Sequence, residues 1–163
     1  MRMNGQRGAA LFMSLIILLV MTILGVTSMK NTVLEERMAG GLRDRSLAFQ
    51  AAEAALRDGE KFLTSAALPV FNDSAGLYQA TTPPKWETID WNSSTAVASY
   101  TGPTLSGLAA TPAYIIEELP PVTDSTGSLE AGIPQEIRYY RVTARSVGQS
   151  TNAVVMVQSI YKR

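Results

Sequence analysis

Residues 7–65 read RGAALFMSLIILLVMTILGVTSMKNTVLEERMAGGLRDRSLAFQAAEAALRDGEKFLTS, and this stretch decides the fold. From Gly8 to Met29 it runs 22 residues without a charge. As a helix at about 1.5 Å per residue, such a run is roughly 33 Å long, enough to cross a bilayer core of about 30 Å. Its interior is Leu, Ile, Val and Met, and Ser14, Thr22, Thr27 and Ser28 can return their hydroxyls to carbonyls one turn back. A secretory signal has an apolar core of about 7–15 residues followed by a small-x-small cleavage site. This run is longer, and Thr27-Ser28-Met29 is a poor site of that kind. On its own it therefore reads as a single-pass anchor. Arg2 and Arg7 stand before it, whereas Lys30, Glu35, Glu36 and Arg37 nearly cancel beyond it. The positive-inside rule then places the N-terminus in the cytoplasm and the remainder across the membrane.

The helical pattern continues past the anchor. No proline interrupts Lys30–Ser65, and Leu34, Met38, Leu42, Phe49, Ala52, Leu56 and Leu63 recur at helical offsets. That is an amphipathic stripe, expected to lie against a partner surface. The opposite surface carries six basic and six acidic residues, among them Glu53 and Arg57 as an i,i+4 pair in the favourable order. Alanines at 48, 51, 52, 54 and 55 raise helix propensity. Gly40-Gly41 is the weak point, at about 2 kcal/mol relative to two alanines, and is expected to mark a kink or a local melting point. The two segments, 9–29 and 30–65, are expected to form one rod, a continuity that a plain anchor does not need.

Composition changes after residue 65. All eight prolines lie in 69–135, so helix is not expected there beyond short turns. The segment YIIEEL, Tyr114–Leu119, is a candidate strand ended by Pro120-Pro121. Trp86 and Trp91 are expected to pack this region onto the core rather than to face a ligand. Two strong strands follow, Glu136–Val147 and Thr151–Arg163, joined by the turn Gly148–Ser150, giving a hairpin over 136–161. A hairpin needs a face to pack on, and the helix stripe supplies one. The expected class is α+β: a long N-terminal helix packed on a small C-terminal antiparallel sheet. The chain accordingly divides into 1–8, 9–29, 30–65 and a globular region, 66–163.

Bulk composition removes several kinds of chemistry. The 163 residues include no cysteine and no histidine, which excludes thiol nucleophiles, disulfides and histidine-based acid–base catalysis. Lys+Arg and Asp+Glu balance at 14 each, with no basic patch of the kind a nucleic-acid binder carries. Gly-x-Ser-x-Gly does not occur, and Ser-x-x-Lys is met only at Ser159–Lys162 within the expected closing strand, so a membrane-anchored hydrolase is disfavoured. The segments FNDSAG and TDSTGSLE hold acidic and hydroxyl groups, but neither has EF-hand spacing, and turn formation explains them better. No metal or other cofactor is expected.

A short basic segment ending in glycine, a helix first apolar all round and then amphipathic, a loop region and a closing antiparallel sheet together resemble the type IV pilin superfamily. The stretch RGAALFMS…ALRDGE, with LEERMAGGLRDRSLAFQAAEAAL its most specific part, resembles the N-terminal region of PilX-type minor pilins. The closing YYRVTARSVG…NAVVMVQSIYKR resembles the C-terminal hairpin of the same group. The resemblance implies a leader, 1–8, cut by a prepilin peptidase between Gly8 and Ala9, with methylation of the new terminus. It implies residence in the bacterial inner membrane with a periplasmic C-terminal region, followed by entry into a pilus. The implied partners are other minor pilins, the major pilin, the inner-membrane assembly platform and a tip adhesin. Pilins usually carry glutamate at the fifth residue after the cut, and here that position is Met13. The expectation is that this subunit sits at an initiation or tip position, where no neighbouring terminal amine needs a carboxylate. The alternatives are a tip pseudopilin of a type II secretion system and, from another class, the anchored periplasmic enzyme.

Overall fold

The computed structural model describes residues 7–123 and 136–163. Residues 1–6 of the expected leader, and nearly all of TDSTGSLE, fall outside these ranges.

Helix α1 spans Arg7–Leu63 without interruption in its helical assignment. The chain divides into two compact units at the Leu42–Arg43 boundary, so α1 contributes to both. In the first unit, every residue from Ala9 to Leu42 is exposed. In the second unit, residues 43–63 of α1 pack against a sheet. The helix stops where Thr64 and Ser65 turn their hydroxyls onto the carbonyls of Lys61 and Phe62, each at 2.7 Å. Arg163, at the far end of the sequence, donates to the carbonyls of Leu63 and Ala66 at 3.3 and 3.1 Å, which places a cation at the negative end of the helix dipole.

The remaining elements are β1 (Leu77–Gln79), α2 (Lys85–Thr88), β2 (Ala98–Ser99), β3 (Ala113–Glu118), β4 (Val122–Thr123), β5 (Glu136–Ile137), β6 (Tyr139–Val147) and β7 (Val154–Lys162). The main sheet is ordered β1-β3-β6-β7, with β2 also pairing β3. β3–β6 and β6–β7 are antiparallel, while β1 lies parallel to β3, with Leu77 opposite Ile116. β4 and β5 form a separate two-stranded ribbon.

Both faces of β3 are buried. On one face Tyr114 and Ile116, with Tyr140, Val142 and Ala144 of β6, meet Ala55, Leu56 and Leu63 of α1. On the other, Ala113 and Ile115 lie with Tyr78 and Val97 under Trp86, Ile89 and Trp91. The two tryptophans thus pack the proline-rich region onto the sheet, as the sequence suggests, and the Trp91 ring is fixed by a bond from its Nε1 to the Trp86 carbonyl at 3.2 Å.

Four sequence expectations are corrected. The sheet is mixed, not antiparallel, because the short β1 enters beside β3 in the same direction. The Glu136–Val147 segment is two strands broken at Arg138, since Glu136–Ile137 pairs with β4 and only Tyr139–Val147 joins the main sheet. The hairpin connection is longer than Gly148–Ser150: the Gly148 amide donates to the Ala153 carbonyl at 2.9 Å, and β7 begins at Val154.

The fourth correction concerns the stripe of α1. Of the seven positions, only Ala52, Leu56 and Leu63 enter the core. Leu42 is 70% and Phe49 50% exposed, whereas Ala48, Ala52 and Ala55 are fully buried. The sheet lies against the small residues because they let the backbones approach. Gly59 continues the same face: a Cβ there would meet Cγ1 of Val142 at 2.7 Å.

Candidate functional site: the exposed helix and its anchorage

The sequence-derived site residues all lie on α1. Gly8 falls within the helix. Ala9 is exposed, and Met13 is 63% exposed among Leu11, Phe12, Leu15 and Ile16, which are likewise open. The hydroxyls of Ser14, Thr22 and Thr27 donate to the carbonyls of Leu11, Leu19 and Ile23 at 2.9, 2.7 and 2.8 Å. These three hydroxyls are therefore satisfied within the helix, as burial in hydrocarbon requires. By length and composition this helix is able to cross a membrane. At Gly40 and Gly41 an added Cβ would meet nothing within 4 Å.

In the second unit, α1 is fastened to the sheet and loops by three of its acids, which the sequence suggests only as part of a solvated face. Asp44 accepts hydrogen bonds from the backbone amides of Gln149 and Ser150 in the β6–β7 connection. The Ser150 side chain first, and then those amides, hold the Asp44 carboxyl below the usual carboxylate range, against an opposing effect of desolvation. Only glycine fits at 148, where a Cβ would stand 2.7 Å from the Asp44 carbonyl oxygen. Asp58 accepts from the amide and the hydroxyl of Thr101 at 2.9 and 2.8 Å. Glu60 accepts from the Ser159 hydroxyl at 2.7 Å. Burial, and secondarily Asp58, push the nearby Tyr114 hydroxyl above its ordinary pKa. The expected Glu53–Arg57 pair forms at 4.0 Å on the exposed side, where it contributes little.

A second polar feature lies on the far face of the sheet. Glu117 is completely buried, accepts from the Lys85 amide at 2.8 Å, and stands 3.5 Å from Arg141 across the β3–β6 register. The Lys85 ammonium in turn lies 4.8 Å from the centre of the Tyr78 ring, whose own hydroxyl is pushed to higher pKa by burial and by Asp73. Asp73 itself accepts the Gln79 amide at 3.0 Å, the turn role expected for FNDSAG. Among the described residues, no group of three or more acidic side chains is placed to hold a metal ion.

Of these groups, the sequence points to Gly8, Ala9, Met13, Gly40 and Gly41. It gives no sign of the contacts made by Asp44 or Glu117, whose partners are distant along the chain, and marks Gly148 only as a turn residue. A helix-interior glycine in register with buried alanines is the one local signal, and it marks Gly59.

The arrangement is an apolar helix open along its first unit, fastened by its second to a small α+β domain. Comparison with known families agrees with that architecture. The model described as PilX N-terminal matches residues 7–57, and the model described as type IV pilus assembly protein PilX C-term matches residues 57–163. No curated protein and no solved structure matches the chain. Together the two models span the described chain from the start of α1 to its last residue, and the protein belongs to the PilX family of type IV pilus minor pilins.

Proposed function

We propose that this minor pilin acts in the initiation of type IV pilus assembly, near the filament tip, through subunit association and without chemistry of its own. The observation that carries this reading is Met13: an exposed, uncharged side chain in a helix with no acid before Glu35. A carboxylate within a hydrocarbon environment costs a few kcal/mol unless it is paired. A subunit without one needs no neighbouring terminal amine at that point, which suits a position where such a neighbour is missing. The competing account is that position 13 is free to vary.

In this reading, residues 1–8 are removed by prepilin peptidase, Ala9 is methylated, and 9–29 holds the subunit in the inner membrane until assembly. The amphipathic segment, 30–65, then gains neighbours in the filament, and 66–163 is the periplasmic region. The partners are other minor pilins, the major pilin, the assembly platform and a tip adhesin. The family match to type IV pilus proteins favours this over a secretion-system pseudopilin.

Two measurements test it. Mass spectrometry of the membrane-extracted protein should find a chain beginning at methylated Ala9, and an intact Met1 returns the segment to a plain anchor. Met13→Glu should lower the number of pili per cell. Unchanged piliation together with unchanged placement of the subunit would remove the argument from Met13.

A further inference from the structure

The arginines of β6 and its approach are not equally matched. Arg141 faces Glu117 across the β3–β6 register, and Arg138 reaches Glu118 at 3.2 Å. Arg145 has Ala113 opposite it on β3 and Met156 opposite it on β7. Among the described residues it enters no ion pair, although it is half-buried. It lies on the sheet face turned away from α1, the face that carries Ala113 and Ile115.

There the connection carrying Trp91 and the hairpin end enclose a cleft of about 440 Å³. That volume falls inside the small-molecule range of roughly 300–1,000 Å³. Among the described residues Arg145 is the one charged group in its lining, which also includes Trp91, Asn92, Ser94, Thr111 and Thr151. A partly desolvated guanidinium without a carboxylate favours an anion, and its planar fork fits a carboxylate with two parallel bonds. Asn92, Ser94, Thr111 and Thr151 offer neutral donors and acceptors, suited to a ligand rich in hydroxyls. Trp91, held by its bond to the Trp86 carbonyl, supplies a fixed apolar wall.

We propose that this cleft binds an acidic saccharide, with a uronic-acid carboxylate on Arg145, ring hydroxyls on the amide and hydroxyl side chains, and an apolar sugar face against Trp91. A neutral sugar leaves the guanidinium unmatched. A peptide terminus brings the carboxylate, but its side chains meet mostly hydroxyl and amide groups. The proposal rests on the sheet and its loops and not on the initiation reading, so a binding assay separates the two.

The full chain in detergent micelles is titrated calorimetrically with an oligogalacturonate, with the matching neutral galactose oligomer, and with a short peptide bearing a free C-terminus. The oligogalacturonate should bind saturably and on the order of tenfold more tightly than the neutral oligomer. Arg145→Gln should weaken it by roughly tenfold or more, and Arg145→Lys by less, because an ammonium keeps the charge but loses the fork. In the unaltered chain, the acidic oligomer should slow amide exchange at 92–94 and 146–151, which decides the matter if Arg145→Gln does not fold. Absence of binding, equal binding of the acidic and neutral oligomers, an unaffected Arg145→Gln variant, protection elsewhere, or binding of the peptide in place of the saccharide would each overturn the proposal.

Discussion

A Cβ added to Gly59 would stand 2.7 Å from Cγ1 of Val142 and 3.0 Å from Cδ2 of Tyr114. Val142 is fully buried, so it has no room to give. Gly59→Ala gains about 1 kcal/mol of helix propensity but incurs overpacking of about 1–3 kcal/mol. The expected result is a net loss of up to about 2 kcal/mol in denaturant unfolding of the full chain. Gly40→Ala meets nothing within 4 Å and should instead strengthen the helix by about 1 kcal/mol, read as slower amide exchange around residue 40. Equal effects of the two substitutions would mean that close packing at Gly59 is not what requires glycine there.

Asp44 ties α1 to the hairpin connection, and its contribution has a defined pH dependence. Its carboxyl lies below the usual range in the folded chain, so it binds its proton less readily there than when unfolded. The contribution is complete above the unfolded value of about 3.9 and is lost as pH falls through the lower folded value. Amide protection at Gln149 and Ser150, corrected for intrinsic exchange, should therefore hold steady from neutral pH down to about 4 and decline below it. Asp44→Asn should reduce the protection at neutral pH and remove the acid step. A step that persists in the variant would assign it to another group.

Glu117 is the buried charge of the far face. Glu117→Ala leaves the Lys85 amide without its acceptor and the Arg141 guanidinium without its carboxylate. Arg141 keeps some contact with solvent, so the expected loss sits toward the lower end for a broken buried pair, about 2–3 kcal/mol in denaturant unfolding. Glu117→Gln retains an acceptor for Lys85 and should lose less. If both variants unfold with the same midpoint, the bond to Lys85 is not what makes the site matter.

How much of this was open to a reading of the sequence depends on whether a group's partners are near it in the chain. The uncharged run of α1 and the helical spacing after it are local signals, and so is the alternation along β6 and β7. YIIEEL is a strand because β-branched and aromatic residues fit a surface buried on both faces. β1 has three residues, Leu77–Gln79, too few to show any period, and its parallel pairing depends on where the chain enters. The packing face of α1 was hidden for another reason. Large apolar residues dominate a sequence stripe, whereas alanines, weak in any such signal, are the residues that permit close approach to the sheet. At the candidate sites, Gly8, Ala9 and Met13 are legible because a glycine leading into an uncharged apolar run is a local pattern. Arg145, Asp44 and Glu117 acquire meaning only from strands paired at long range.

The last prediction follows from that hidden face. Leu42 and Phe49 lie seven residues apart on α1, both remain exposed, and both belong to the part of the stripe that the sheet does not use. On the proposed assembly role, such positions are expected to meet other pilin subunits. Phe49→Ala should change the stability of the isolated chain by no more than about 0.5 kcal/mol, as for other exposed positions, while lowering the number of pili per cell. Leu42→Ala should act in the same direction. Ala52→Leu should do the reverse, destabilising the isolated chain by about 1–3 kcal/mol through overpacking against the sheet. Thermal unfolding of the purified proteins and pilus counts by electron microscopy separate these effects. Normal piliation in the Leu42→Ala, Phe49→Ala double variant would show that the exposed stripe does not make the contacts assigned to it.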